Sequence, residues 1–211
     1  MRKLPFVSKN LSKSFTINRA AKLAYLTLQI IEEVTHEDKV SFPYLPGLFS
    51  FREVPPLLEA FKKLKTKPDL IVCDGHGIAH PKGVGMATHL GIELNIPTIG
   101  CAKKRLVGYY EEPESKRGSS SPMIFDGKEV GKTLRTQDGI KPVFVSVGHK
   151  ISLETACKWI LHLTPNYRLP ETTRAVDSLV NRLMKERTDW DTPLEFYQKK
   201  MEEQQKENKS Q

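Results

Sequence analysis

The chain has 211 residues, 38% of them apolar and 27% charged, and its 33 Lys and Arg outnumber 25 Asp and Glu to give a formal charge of +8. That length supports one good core rather than two large ones; no run approaches the ~18 apolar residues of a membrane span, and the N-terminus has no apolar signal-peptide core. A soluble, cytoplasmic protein is expected, and the basic excess favours a polyanion such as nucleic acid as partner, although many basic proteins bind none.

Residues 1–18 are basic and irregular. From Lys22 to Ile31, Ala24, Leu26, Leu28 and Ile30 alternate with Tyr25, Thr27 and Gln29, the period of two of a strand. A loop over 32–38 and a return strand over Lys39 to Phe42 complete an expected hairpin. Phe42-Pro43-Tyr44-Leu45-Pro46-Gly47 reads as a stiff aromatic loop, since proline fixes φ and removes a donor. Val54, Leu57, Leu58, Phe61 and Leu64 then mark a helix, with Pro55 and Pro56 confined to its first turn and Glu53 at its mouth.

Leu70-Ile71-Val72-Cys73 reads as a buried strand that stops abruptly at Asp74-Gly75-His76-Gly77. A helix over Val84 to Leu94, stopped by Asn95-Ile96-Pro97, leads to a second buried strand over Pro97 to Cys101, a βαβ unit with parallel pairing. Residues 111–122 read as a surface loop. Asp126-Gly127 is a hairpin turn, and Val130 to Thr136 pairs antiparallel with Val143 to Val147. Ser152 caps a helix striped by Leu153, Ala156, Cys157, Ile160 and Leu161, and Val176, Leu179, Val180 and Leu183 mark a last core helix. One domain over 1–186 and a charged tail over 187–211, expected to be frayed or disordered, complete the organisation. Cys73, Cys101 and Cys157 have neither disulfide nor zinc spacing and read as reduced core residues.

Phosphodiester hydrolysis needs an activated water and a stabilised leaving oxygen, which carboxylates holding Mg²⁺ supply. Asp74, at the carboxyl end of a strand, faces the ligand crevice of an open α/β sheet or else belongs to a plain Asp-Gly turn. Glu53 is either its partner or a complement to the helix dipole. His76 and His80 are four apart, but Gly77 and Pro81 argue against the helix a zinc pair would need. His149, beside Gly148 at a strand end, reads as an acid, as a residue that orients water, or as a hydrogen-bonded structural residue. Lys103, Lys104, Arg105, Arg135 and Lys150 would bind phosphates if gathered on one rim, and are solvated charges if not. Tyr44, on its stiff loop, suits a wedge into a base stack, against the commoner fate of a core tyrosine.

These blocks, together with Pro97-Thr98-Ile99-Gly100-Cys101-Ala102-Lys103-Lys104, Val147-Gly148-His149 and Tyr167-Arg168-Leu169-Pro170-Glu171, resemble in order the endonuclease V family, from about Ile17 to Met184. The resemblance implies an α/β ribonuclease H-like fold with a central mixed β-sheet flanked by helices. It also implies a monomer whose Mg²⁺-dependent reaction, with Mn²⁺ as a substitute, cleaves DNA or RNA at the second phosphodiester 3′ to a deaminated base such as inosine, in DNA repair or inosine-RNA metabolism. Carried over by motif, Asp74 is a metal ligand, Glu53 a second active-site carboxylate, His149 the active-site histidine, and His80 and Lys103 supporting residues. Tyr44 corresponds to the family's wedge, with Leu45 in place of isoleucine. Gly47, Gly75, Gly77 and Gly100 correspond to residues lining the pocket for a flipped base. One departure stands out: the family's Gly-Val-Asp is missing, and Asn10-Leu11-Ser12 offers an amide where its carboxylate belongs. Either the N-terminus is truncated or misread, or the chain binds metal poorly. The alternative expectation is therefore a catalytically impaired binder of inosine-containing nucleic acid.

Overall fold

A computed structural model describes residues 3–5, 15–24, 26–39, 45 and 47–186. Asn10, Tyr44, the expected return strand beyond Lys39 and the tail over 187–211 lie outside the described residues. The chain divides into two compact units, Met1–Ser178 and Leu179–Gln211; of the second, residues 179–186 are described and are helical. Among the described residues no helix is long and apolar enough to cross a membrane.

The N-terminal half of the first unit carries an antiparallel sheet of β1 (Lys3–Pro5), β2 (Phe15–Ala24) and β3 (Ile30–Lys39), in that order. The single strand expected over Lys22 to Ile31 is instead the end of β2, a turn and the start of β3. The apolar alternation runs on through that turn, where Leu26 is 81% exposed and Leu28 has φ 53°. The stretch at 32–38, whose charges suggested a loop, is strand. Its Glu32 Oε1 accepts a hydrogen bond from the Lys65 backbone N–H at 2.8 Å, and its Thr35 carbonyl accepts one from Lys63 Nζ at 2.6 Å.

Helix α1 (Phe49–Lys62) begins about one turn earlier than expected, so Pro55 and Pro56 fall in its second turn. Glu53 accordingly sits within the helix rather than at its mouth.

The central sheet is mixed, five-stranded and flanked by helices, as a ribonuclease H-like α/β fold requires. Its strands are β4 (Ile71–Cys73), β5 (Thr98–Ala102), β6 (Ser120–Phe125), β7 (Lys128–Leu134) and β8 (Val143–His149), in the order β4-β5-β8-β7-β6. β4 and β5 pair in parallel through α2 (Met86–Leu94), which ends on Asn95 in the left-handed region, φ 55°. The other pairs are antiparallel. Asp126 and Gly127, at φ 49° and 71°, make the tight turn between β6 and β7 that their sequence predicts. Ser120 to Pro122, expected in a loop, belong to β6: Ser121 and Met123 point inward and their neighbours outward, which polar composition disguises.

The period of two divides the side chains of the central strands between the sheet's two faces, and Ala102, Met123 and Phe144 form a further cluster with Ala79 and Val107. Val72, Ile99, Cys101, Val143 and Val145 pack with Ala156, Cys157 and Ile160 of α3 (Leu153–His162), whose N-cap Ser152 accepts from the Thr155 N–H. Ile71 and Cys73 face the other way, onto Val54, Leu57 and Phe61 of α1 and Met86, Ala87 and Leu90 of α2. Helix α4 (Glu171–Glu186) closes the described chain and starts five residues before its first expected apolar position.

All three cysteines are free and buried, and burial pushes each thiol up, Cys157 to about 11. A thiol reagent at about pH 8 is therefore expected to label none of them in the native protein and all three in denaturant. Fast stoichiometric labelling without denaturant would contradict this packing.

Candidate active site

Parallel pairing brings the ends of β4 and β5 to one edge, because Cys73 lies opposite Gly100 and both chains run the same way. Asp74 leaves the first strand there and Lys103 the second. Their side chains meet: Lys103 Nζ is 2.5 Å from Asp74 Oδ2 and 3.8 Å from Asp177 Oδ2. Asp177 was not among the expected site residues. The apolar period of α4 marks Val176 and Leu179 as its inward positions, and an acid between them at the rim of that face has no local signature.

Asp74 opens onto a loop that folds back over the sheet. The Gly77 N–H donates to Ser146 Oγ and the Ile78 N–H to the Val147 carbonyl, both at 2.8 Å. A Cβ on Gly77 would run into the Val147 carbonyl, and one on Gly100 into the backbone of Gly75 to Gly77. Glycine at these two positions is a condition of the approach. Gly75 lies against Met86, and Gly47, at φ 78°, is in the turn leading into α1.

The two imidazoles of this loop have separate partners. Burial lowers the His76 pKa to about 4, so its ring is neutral near pH 7. Its Nε2 faces the Lys104 carbonyl at 3.1 Å and must carry the proton to donate there. His80 is buried; that burial, and then Lys82, lowers its pKa, and its Nδ1 accepts from the Lys82 N–H at 3.2 Å.

Other expected residues are placed elsewhere. β8 runs antiparallel to β5, so His149 lies opposite Thr98, at the start of β5, whereas Lys103 follows its end. Five residue steps of about 3.3 Å put roughly 16 Å between Thr98 and Lys103 along the strand direction. The His149 Nε2 is buried there without a hydrogen-bond partner. Lys150 shares that end and lines a cavity of about 310 Å³ with Asp69, Leu70, Pro97, Ile151, Thr155 and Trp159. Arg135 is 7% exposed and spends its guanidinium on the carbonyls of Pro113, Glu114 and Ile140 and on Glu112 Oε1. The single basic rim is thereby reduced to Lys103 with the exposed Lys104 and Arg105.

Glu53 is fully buried, with Arg52 Nε 3.7 Å from its Oε1. It precedes Val54 as Asp74 follows Cys73, and Val54 and Cys73 share one core cluster, so the two acids stand on neighbouring elements. Among the described residues no three Asp, Glu, His or Cys side chains converge as a metal cluster. Two carboxylates do converge on a positive charge, the Lys103 ammonium. Such an oxygen pair fits a hard, hydrated cation like Mg²⁺, which keeps several waters and takes one or two protein carboxylates.

The endonuclease V family model matches residues 4–178. The endonuclease V of Trichormus variabilis is 54% identical over 168 residues, 79% of this chain and 76% of that protein. Among solved structures, endonuclease V from Streptomyces avermitilis superposes with a TM-score of 0.82 at 48% identity, covering 88% of this chain and 81% of that one. Endonuclease V of Ciona intestinalis, in complex with a 24mer DNA containing an inosine followed by a ribo-adenosine, gives 0.74 at 26% identity, covering 88% and 87%.

Gly100→Ala is expected to destabilise the protein by about 2 kcal/mol or more, because the added Cβ meets backbone that cannot rotate away. Urea unfolding measures this, and an unchanged midpoint would contradict the contact between loop and strand.

Proposed function

The chain belongs to the endonuclease V family and is an endonuclease; from that premise we propose that it hydrolyses, with Mg²⁺, the second phosphodiester 3′ to a deaminated base such as inosine in DNA or RNA. The observation that carries this reading is the Lys103 ammonium held between Asp74 and Asp177, at the strand edge where a glycine loop packs closely over β5 and β8. The inosine-containing DNA bound by the Ciona relative supports the choice of substrate.

Asp74 and Asp177 would hold the cation, and Glu53 is the further acid on a neighbouring element. Bound there, Mg²⁺ supplies neutralisation of phosphate charge and a more acidic water. The remaining work belongs to the chain's own groups. Lys103 presents a fixed positive charge beside the acids, where negative charge builds on a phosphate undergoing substitution. Lys104 and Arg105 engage neighbouring phosphates, positioning the strand without reading it.

Deamination replaces an amino group and a ring lone pair by a carbonyl and a ring N–H. The loop over Gly75 and Gly77, packed on Gly100, with Gly47 leading into α1, would form a wall of the pocket for a lifted-out base that differs from its parent in just those groups. His80, neutral and hydrogen-bonded within the same loop, stiffens it. Tyr44 serves as the wedge that takes the base's place in the stack. His149, at the far end of β5, has no part in the chemistry of this reading.

An inosine-bearing oligonucleotide, in DNA and RNA versions, is expected to be nicked with Mg²⁺ or Mn²⁺ and left intact with a chelator. Asp74→Ala and Asp177→Asn are each expected to lower the rate by about 100-fold or more while binding in a gel-shift assay survives. A fully active Asp74→Ala protein would contradict the site. Tyr44→Ala is expected to weaken discrimination between inosine and adenosine more than overall affinity, as competition binding with the two oligonucleotides measures.

A further inference from the structure

We propose that Arg168 is a positioning residue, whose guanidinium holds the backbone of Lys103 so that the ammonium stands between Asp74 and Asp177. Lys103 leaves β5 at a bend, and its side chain is a flexible stem with a point charge at the tip. Such a group reaches a defined place between two acids only if its backbone is fixed.

Arg168 provides that fixing. Its Nη2 donates to the Lys103 carbonyl and to the Pro142 carbonyl, each at 2.9 Å, and its Nε donates to the Lys141 carbonyl at 2.7 Å. Lys141 and Pro142 lead into β8, and Ala102 of β5 lies opposite Phe144 of β8. One planar fork thus ties the exit of one strand to the entry of its antiparallel neighbour, at the edge that carries the acids. Arg168 is itself anchored from beneath, since its own carbonyl accepts from Thr136 Oγ1 at 2.8 Å and Thr136 is fully buried. The His76 imidazole meets the next carbonyl, Lys104, and gives the segment a second point of support. A lysine in place of Arg168 retains the charge but, as a point donor on a flexible stem, cannot reproduce the fork that reaches three carbonyls on two segments.

The inference deepens the reading of the active site and rests on it for its kinetic arm, so the test has a second arm that needs no cleavage. The nitrogen-15 resonance of the Lys103 ammonium, assigned by its loss in Lys103→Met, is expected to be protected from solvent exchange in the wild-type protein. In Arg168→Gln its exchange should quicken by about tenfold or more, with the backbone amide spectrum still that of a folded protein. An equally protected ammonium in Arg168→Gln overturns the proposal. Should Arg168→Gln fail to fold, Arg168→Lys carries the same comparison.

In the nicking assay, the arginine variant is expected to lower kcat by about 50-fold with KM changed less than about threefold. Combined with Lys103→Met it should be no slower than Lys103→Met alone, because both changes disable one device. Losses that multiply would show Arg168 acting independently of Lys103 and overturn the proposal. A wild-type protein that nicks no inosine substrate counts against the activity proposed above and leaves the spectroscopic arm to decide the role of Arg168.

Discussion

The structure turns on one electrostatic arrangement: an ammonium held between two carboxylates at the common edge of two parallel strands. Each of the three side chains is largely shielded, Asp74 to 13% exposure, Asp177 to 26% and Lys103 to 31%. Like charges gathered in such a place repel, and each loses hydration, so the two acids need a cation between them. Three different elements deliver the groups: β4 ends just before Asp74, β5 just before Lys103, and α4 carries Asp177.

The glycine loop after Asp74 is the second condition. It lies so close over β5 and β8 that side chains are excluded at Gly77 and Gly100, and its amides are tied to Ser146 and Val147. The same geometry puts main-chain groups beside the acids and links them, through His76 and the Lys104 carbonyl, to the segment that bears the lysine. In the proposed function, recognition and chemistry therefore share one piece of backbone. The opposite end of the sheet is a separate environment, with the half-buried His149 opposite Thr98 and a small cavity around Lys150 and Trp159.

Packing on both faces of the central sheet explains why these positions are held firmly. β4 is only three residues long, yet each of them is buried, Val72 toward α3, and Ile71 and Cys73 toward α1 and α2. A strand clamped from both faces has little freedom to slide, and a slip of one residue would reverse every side chain and carry Asp74 away from the edge.

Local pattern determined a good deal by itself. The run Leu70 to Cys73 stopped by Asp74-Gly75, the Asn95 stop, the Asp126-Gly127 turn and the Ser152 cap all have short-range causes, and each stands where those causes put it. The ordered motifs likewise led to the family. What local pattern could not decide was direction and company. Alternation of apolar residues continued through the turn at 26–29 as though no turn were there. The identity of His149 as a strand-end residue said nothing of which end, and the antiparallel course of β8 settled that. Arg135, a cation near a strand end, became a buried tie because the carbonyls of Pro113 and Glu114, far away in sequence, and of Ile140 surround it. Asp177 entered the site because α4 passes the edge where Asp74 and Lys103 emerge. Periodicity encodes which side of an element is buried; only the packing of elements against one another decides which far-apart side chains share a charge.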